Sequence, residues 1–421
     1  MSDNREKIIN DFREEIKHAY EPGAKVMSAD RELRFCFELQ RDRLSKKKLT
    51  CTEEMVRRGA LPGAINNVRS WNDGHYRTTW AVDNIEHTKT YSRDGMRMYK
   101  KSGKQLIYET VVDVHDGEDV SNDNYCCPNC GAVSTIAALQ EGCPHCGTSF
   151  KMTELYPKVS NFFYVRDIAG NGKELWHTVL KHGLCLLPVT IGMLLWLNYS
   201  EYGITPLDLL TNPGKLLWML VCMVVMTPIV GYMGFFLHMF GMALKALIMD
   251  LPLIFSIITS RKAFAYRMSQ ISPEYTFERF SARMMSLLKI VAYSDRDDEL
   301  PFYKGKDLGS LFDDVTDITF RGMATCKQVK ARDNMVYVTA DLYVETEHDC
   351  GTKIKAKRET YRVTAGRRLD VPFTTNFSIT EIECKSCGGS FNAYKTNKCP
   401  YCGTEYRPEY EDWALYDIKK R

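Results

Sequence analysis

"CKSCGGSFNAYKTNKCPYCGTEY" (384–406) holds two C-x-x-C-G pairs, Cys384 with Cys387 and Cys399 with Cys402, separated by eleven residues. Nearly the same phrase stands earlier, "CPNCGAVSTIAALQEGCPHCGTSF" (127–150), where twelve residues separate Cys127 and Cys130 from Cys143 and Cys146. This is zinc-ribbon spacing. In each pair a tight turn aims two thiolates at one ion, and the glycine that follows supplies the backbone freedom such a turn needs. Two pairs close a tetrahedral four-sulfur site with no open position, so the spacing predicts two structural Zn2+ sites and no catalytic metal. Surface thiols or redox dithiols are the competing readings, but a redox motif comes singly at a helix N-terminus, whereas matched pairs recur here twice. Only Cys127, not Cys126, keeps the two-residue gap to Cys130. His145 reads as an exposed turn residue beside four sufficient thiolates. Cys36, Cys185, Cys222 and Cys326 read as small buried or membrane residues.

Fifteen cysteines, eight of them in these pairs, suit a reducing compartment rather than a secreted disulfide scaffold. The opening "MSDNREKIINDFREEIKHAYEPGAK" has no apolar core of a secretory signal. A net charge of +3 from 56 basic and 53 acidic residues implies no polyanion-binding face. The length of 421 residues suggests two or three domains.

The repeat extends past the cysteines. "FFYVRDI" (162–168) is echoed by "WALYDIK" (413–419), and "KQLIYETVVDVHDG" (104–117) by "NMVYVTADLYVETE" (334–347), all with the alternation of half-buried strands. Each ribbon therefore reads as an insertion between the late strands of a small sheet. Ahead of the second sheet, "PEYTFERFSARMMSLLKIVAYS" sets Phe277, Phe280, Met284, Leu287, Leu288 and Val291 on one helical stripe that reads as core. Helical pieces of less regular period occupy 7–80. The expectation is α+β: two halves of helices plus an antiparallel sheet, each carrying a zinc ribbon, separated by a transmembrane helical hairpin. The divisions are 1–125 for the N-terminal α+β domain, 126–150 for the first ribbon and 151–175 for a closing strand and linker. They continue with 176–260 for the membrane region, 270–383 for the second α+β domain, 384–406 for the second ribbon and 407–421 for its closing strand.

Within 176–260, "LCLLPVTIGMLLWLN" extends to a span at about 179–198, and "LLWMLVCMVVMTPIVGYMGFFLHMF" (216–240) has full spanning length. Pro188 and Pro228 are tolerable inside bilayer helices, and Trp176, Trp196 and Trp218 fall near the expected interfaces. The run 242–259 contains Lys245, Asp250 and Pro252 and reads as interfacial. Two crossings leave both ribbons on one side. Lys173, Lys181, Arg261, Lys262 and Arg267 flank the hairpin outside, which predicts a cell-membrane protein with both termini cytoplasmic and the lipid bilayer as a partner.

"YTFERFSARMMSLLKIVAYSDRDDELPFYKGKDLGSLFDDVTDITF" resembles the helical opening of the Tim forty-four-like domain, the family of a peripheral subunit of the mitochondrial inner-membrane translocase. The likeness covers roughly 272–420, and with the ribbon and hairpin it is similar to bacterial zinc-ribbon membrane proteins of that type. It implies a cone of helices on a curved antiparallel sheet, whose hollow holds a small ligand, a lipid tail or a peptide. It also implies a setting in protein transport, with translocase components or membrane-complex subunits as partners. The chain departs from the mitochondrial subunit in carrying its own spans and ribbons and in lacking the long presequence.

The reading is a membrane-anchored, cytosol-facing binding or scaffold protein in protein transport or membrane-complex assembly, not an enzyme. A nucleic-acid-binding ribbon is the alternative, from Lys385, Lys395, Lys398 and Arg407, but Glu141 and Glu154 offset Lys151 at the first ribbon, and no nucleic acid is expected. A pocket enzyme using Asp295, Asp297, Asp298 or His348 lacks a nucleophile–base pair, a phosphate loop and an open metal site. Two spans without paired intramembrane charges line no transport pathway.

Overall fold

Two helices open the chain in the computed structural model, α1 (Ser2–His18) and α2 (Arg31–Lys46), and the Asp30 carboxylate caps α2 by accepting from the Leu33 amide. The structure describes residues 2–58, 69–73, 76–114, 124–127, 130–147, 157–166, 172–249, 251–272, 275–294, 300–371, 382–387, 390–394, 396–410 and 412–421. Strands begin at residue 49, so the helical expectation for 7–80 ends early. β1 (Leu49–Arg57) pairs with β3 (Tyr76–Arg93), which also pairs with the short β2 (Arg69–Asp73). β3 turns through Asp94 and Gly95, both at positive φ as a two-residue hairpin demands, into β4 (Met96–Val114). β5 (Asn124–Cys126), β6 (Val133–Thr135) and α3 (Ile136–Glu141) follow, and β7 (Lys158–Arg166) closes the sheet in the order β1-β3-β4-β7.

The chain then runs through α4 (Gly172–Cys185), α5 (Leu187–Tyr202), α6 (Pro206–Thr211), α7 (Pro213–Met249) and α8 (Leu251–Met268). α9 (Phe277–Tyr293) starts where the Thr276 hydroxyl accepts from the Arg279 amide, and its whole predicted stripe is buried. β8 (Val315–Arg332), β9 (Met335–Asp349) and β10 (Ile354–Arg368) form a meander, β11 (Ile382–Glu383) and β12 (Ser390–Phe391) a small pair, and β13 (Ala414–Lys420) closes a sheet of order β13-β10-β9-β8.

Apart from the short β2 on β3, the two sheets share one topology. In each, three strands in meander order are followed by a cysteine-rich insert and a fourth strand that pairs with the third. "FFYVRDI" and "WALYDIK" fall on the two fourth strands, β7 and β13. The other echo is one strand out of step, because 104–117 overlaps the third strand of its sheet and 334–347 the second of its own.

These halves are not separate bodies. Residues 1–166 and 257–421 form one compact unit, and 167–256 a second. In the first unit α2 packs on α9, and Phe35 of α2 enters the core of the second half, edge-on to Tyr394 at 4.7 Å between centroids. Phe163 of β7 meets Phe320 of β8 at 5.6 Å.

In the second unit α7 is a 37-residue helix, about 55 Å long at 1.5 Å per residue. Its stretch Pro213–Gly241 has mean hydropathy 2.1 with 6% of its most apolar part buried, and it is the one helix among the described residues long and apolar enough to cross a membrane alone. The segment expected to span as 179–198 is instead bent by 61° between His177–Cys185 and Leu187–Tyr202. Pro188 sits in the first turn of α5, where its missing N–H and fixed φ start a helix rather than continue one. Pro228 lies inside α7 without breaking it. α7 also runs unbroken through Lys245, so 242–249 continues the long helix. α4 and α7 approach so closely that a Cβ on Gly183 would stand 2.7 Å from the Thr227 carbonyl oxygen, and one on Gly231 would stand 2.5 Å from that of Val179. Small residues four apart, Thr227 and Gly231, make the contact and let the two backbones approach.

Candidate metal centres and the seam between the halves

Both cysteine tetrads are assembled. Around the first insert, Cys127 and Cys146 Sγ lie 3.8 Å apart and Cys130 and Cys143 3.7 Å. Around the second, Cys384 and Cys402 lie 3.5 Å apart and Cys387 and Cys399 3.6 Å. Four sulfurs at 2.3 Å from a central zinc would stand about 3.8 Å from one another. Disulfide sulfurs are bonded at about 2.05 Å, so these are eight free thiols converging in two groups. The donor set fits Zn2+: all sulfur, four per site, no vacant position. The residues that would hold it are Cys127, Cys130, Cys143, Cys146, Cys384, Cys387, Cys399 and Cys402.

The turns that aim the thiolates are alike in both tetrads. The Gly131 amide donates to the Cys127 carbonyl and the Cys127 amide to that of Ala132, each at 2.8 Å. Gly403 to Cys399 and Cys399 to Thr404 repeat the pattern at 2.9 Å. Gly131, Gly147 and Gly403 all sit at φ of 70–74°, where a side chain would be strained. The first cysteine of every pair is buried and the second exposed. The Thr404 hydroxyl, 3.2 Å from Cys402 Sγ, and the Thr404 amide draw that exposed thiol down to about 6, favouring the thiolate a metal requires. His145 is exposed and outside the tetrad.

The other candidates separate. His348 is buried with both ring nitrogens occupied, Nδ1 on Asp314 at 2.9 Å and Nε2 against Thr346 Oγ1 at 2.9 Å and Glu359 at 3.2 Å, a structural arrangement. Asp295, Asp297, Asp298, Lys395, Lys151 and Glu154 lie outside the described residues.

A charged seam between the halves escapes the sequence reading. Lys89 on β3, buried, reaches both Asp317 on β8 and Glu347 on β9, the latter at 3.2 Å. The Tyr91 hydroxyl donates to Glu347 at 2.9 Å, and that of Tyr293 to Asp317 at 2.7 Å. Beside them Glu53 of β1 accepts from His87 at 2.8 Å, Tyr164 at 2.6 Å and Tyr20 at 3.1 Å. Arg43 of α2 donates to the Val315 carbonyl at 2.7 Å, and Gln40 to that of Thr316 at 3.0 Å. Arg283 of α9 bridges Glu32 and Asp412. Burial alone would push Glu53 up, but Lys89 and the His87 and Tyr164 hydrogen bonds hold it down to about 2. Asp317 is held lower still against burial, first by Lys89, and Lys89 stays charged because Asp317 and Glu347 outweigh its own burial. Burial dominates at Glu347, whose carboxyl is raised. The signal was present: Glu53 occupies an inward position of β1 with Leu49, Cys51 and Met55, and His87 and Lys89 alternate inward between Ile85 and Tyr91.

The cavity beside this seam, lined by Tyr20, Gln40, Tyr164, Lys289, Tyr293 and Asp317 among others, measures about 20 Å³. That admits a water molecule.

Comparison with protein-family models, curated proteins and solved structures gives no match.

Proposed function

We propose that this chain is a membrane-anchored binding or scaffold protein, in which 167–256 enters the bilayer and two related zinc-bearing halves stand together on its cytosolic side. The observation that carries the reading is that chain before and after the apolar insert folds into one unit holding both cysteine tetrads. Both flanks of the insert must then lie on the same side of any membrane, so the crossings are even in number. α7 supplies one and the bent pair α4–α5 the other. The outward face of α7, with Leu217, Trp218, Val224, Phe236 and Leu237 exposed, is the surface hydrocarbon would cover. Zn2+ in the tetrads would be structural, since four thiolates leave no open position. Protein transport or membrane-complex assembly is the proposed setting, and the Tim forty-four-like resemblance of 272–420 is its support.

The test is topology. With native thiols blocked, single cysteines at Ser200 or Thr211 are expected to react with an impermeant maleimide on intact cells, and one at Ser310 to stay protected. Labelling at Ser310 would place the compact unit outside and overturn the reading. Crosslinking in native membranes is expected to recover membrane-complex or translocase proteins, and recovery of RNA would favour the nucleic-acid alternative.

A further inference from the structure

Two histidines meet in the second unit, where α4 lies against α7. The rings of His182 and His238 have centroids 5.3 Å apart and planes inclined by 54°. Close packing of the two helices brings them together. Beyond the contact of Gly183 with Thr227, a Cβ on Gly234 would stand 3.8 Å from the Cβ of His182. His238 follows Gly234 by one helical turn, on the same side of α7.

His182 is oriented as a metal ligand is. Its Nδ1 stands 2.8 Å from the Thr178 carbonyl oxygen. A carbonyl only accepts, so Nδ1 carries the proton and Nε2 of the neutral ring keeps its lone pair. Histidines that hold a metal are commonly fixed in this way, the second ring nitrogen donating to a backbone carbonyl. The separation of the rings fits as well. With an N–metal bond of about 2.0–2.1 Å the ring centre lies about 3.2 Å from the ion, so two imidazoles at the tetrahedral angle stand roughly 5.2 Å apart. His238 is exposed and has no hydrogen bond or ion pair among the described residues. A polar ring on an otherwise apolar helix is costly to leave without a partner.

The pair also has a definite place along the apolar stretches. His238 lies three residues before the end of Pro213–Gly241, and His182 five residues after the start of the bent pair at His177. These are the ends that lead along the chain into the compact unit.

We propose that His182 and His238 together bind one divalent transition-metal ion of the Zn2+ class where α4 meets α7, each through one ring nitrogen and with the remaining positions open. Imidazole suits Zn2+, Ni2+ and Cu2+ alike. The site differs in kind from the tetrads. Four thiolates enclose an ion, whereas two imidazoles leave it exchangeable and able to take a further ligand. This goes beyond the scaffold role and needs only that α4 packs on α7.

The full-length protein in detergent micelles, its tetrads already loaded, is titrated with Zn2+ by calorimetry. One further ion per chain is expected. His182→Asn and His238→Asn are each expected to weaken its binding at least about tenfold, and the double variant to lose little more than either, because a lone imidazole holds the ion poorly. His182→Cys replaces the ring with another zinc ligand and is expected to keep the ion. Gly231→Leu keeps both rings but forces the helices apart, and it is expected to weaken binding comparably to the loss of a ring. Retained tetrad zinc and thermal midpoint show that each variant folds, and His238→Asn, on an exposed ring, carries the test if His182→Asn does not fold. No further ion in the parent up to about 1 mM Zn2+ overturns the proposal. A further ion that both single variants hold as tightly as the parent overturns it too, since that ion sits elsewhere. Ion binding is read in micelles and topology on intact cells, so failure of the metal site leaves the anchored protein standing.

Discussion

The two cysteine tetrads occupy the same place in the same topology, yet their surroundings differ. Among the described residues, Cys127 and Cys143 of the first share a small apolar cluster with Leu139. Cys384 and Cys399 of the second belong, with Ile382, Phe391 and Ala393, to the main core that also contains Phe280, Leu288 and Trp413. Among the described residues, the second tetrad thus lies in the main core and the first in a small cluster of its own. A metal in the second site would hold the core together, whereas one in the first would hold only its own loop.

The sharpest way to break this comparison is to remove one ligand from each. Cys399→Ser is expected to release one of two zinc ions and to destabilise the compact unit by on the order of 4 kcal/mol, seen as a lower unfolding midpoint. Cys143→Ser is expected to release one ion at a cost of about 1 kcal/mol or less to that midpoint, because few core contacts depend on it. Equal losses would make the two sites equivalent after all.

Next in size is the seam. Lys89→Met leaves Asp317 and Glu347 buried without their shared cation, and a loss of about 3 kcal/mol is expected, with proteolysis newly admitted between the halves. An unchanged midpoint and digest would show that the halves stand independently.

The smallest effect is in pH. Glu53, held at about 2 when folded against about 4.3 in a free chain, takes up a proton more readily on unfolding. Its stabilisation is therefore complete above about 4.5 and lost as pH falls toward 2; Asp317 acts in the same direction, and the raised Glu347 opposes it as pH rises through its folded value. Protein and variant both shed metal in acid, so the readout is their difference. Glu53→Gln is expected to be less stable at pH 7 and to lose less between pH 5 and pH 3. A variant as acid-sensitive as the parent would remove Glu53 from the seam.

The sequence made legible whatever depends on local pattern. Cysteine spacing located both tetrads, the three- and four-residue stripe located α9, and aromatic alternation located β7 and β13. β3 escaped because its inward positions 87 and 89 hold His and Lys, so the period-two apolar signal vanishes where the halves meet. The second half supplies the acids that make Lys89 a good interior residue, and Glu53 of β1, distant in sequence, does the same for His87. The bend ahead of Pro188 is not legible in the sequence, because proline permits both a kinked helix and a new start.

The compact unit is discontinuous along the chain, with Lys89 and Asp317 separated by 228 residues. At roughly 5–20 residues per second of synthesis, the first half waits on the order of 10–50 s before its partner acids exist. During that interval Lys89, Tyr91 and Glu53 stand in water as an unfinished surface. If 167–256 enters the bilayer as proposed, it does so within the same interval, and the later meeting of the halves becomes a search by two tethered bodies beside a plane.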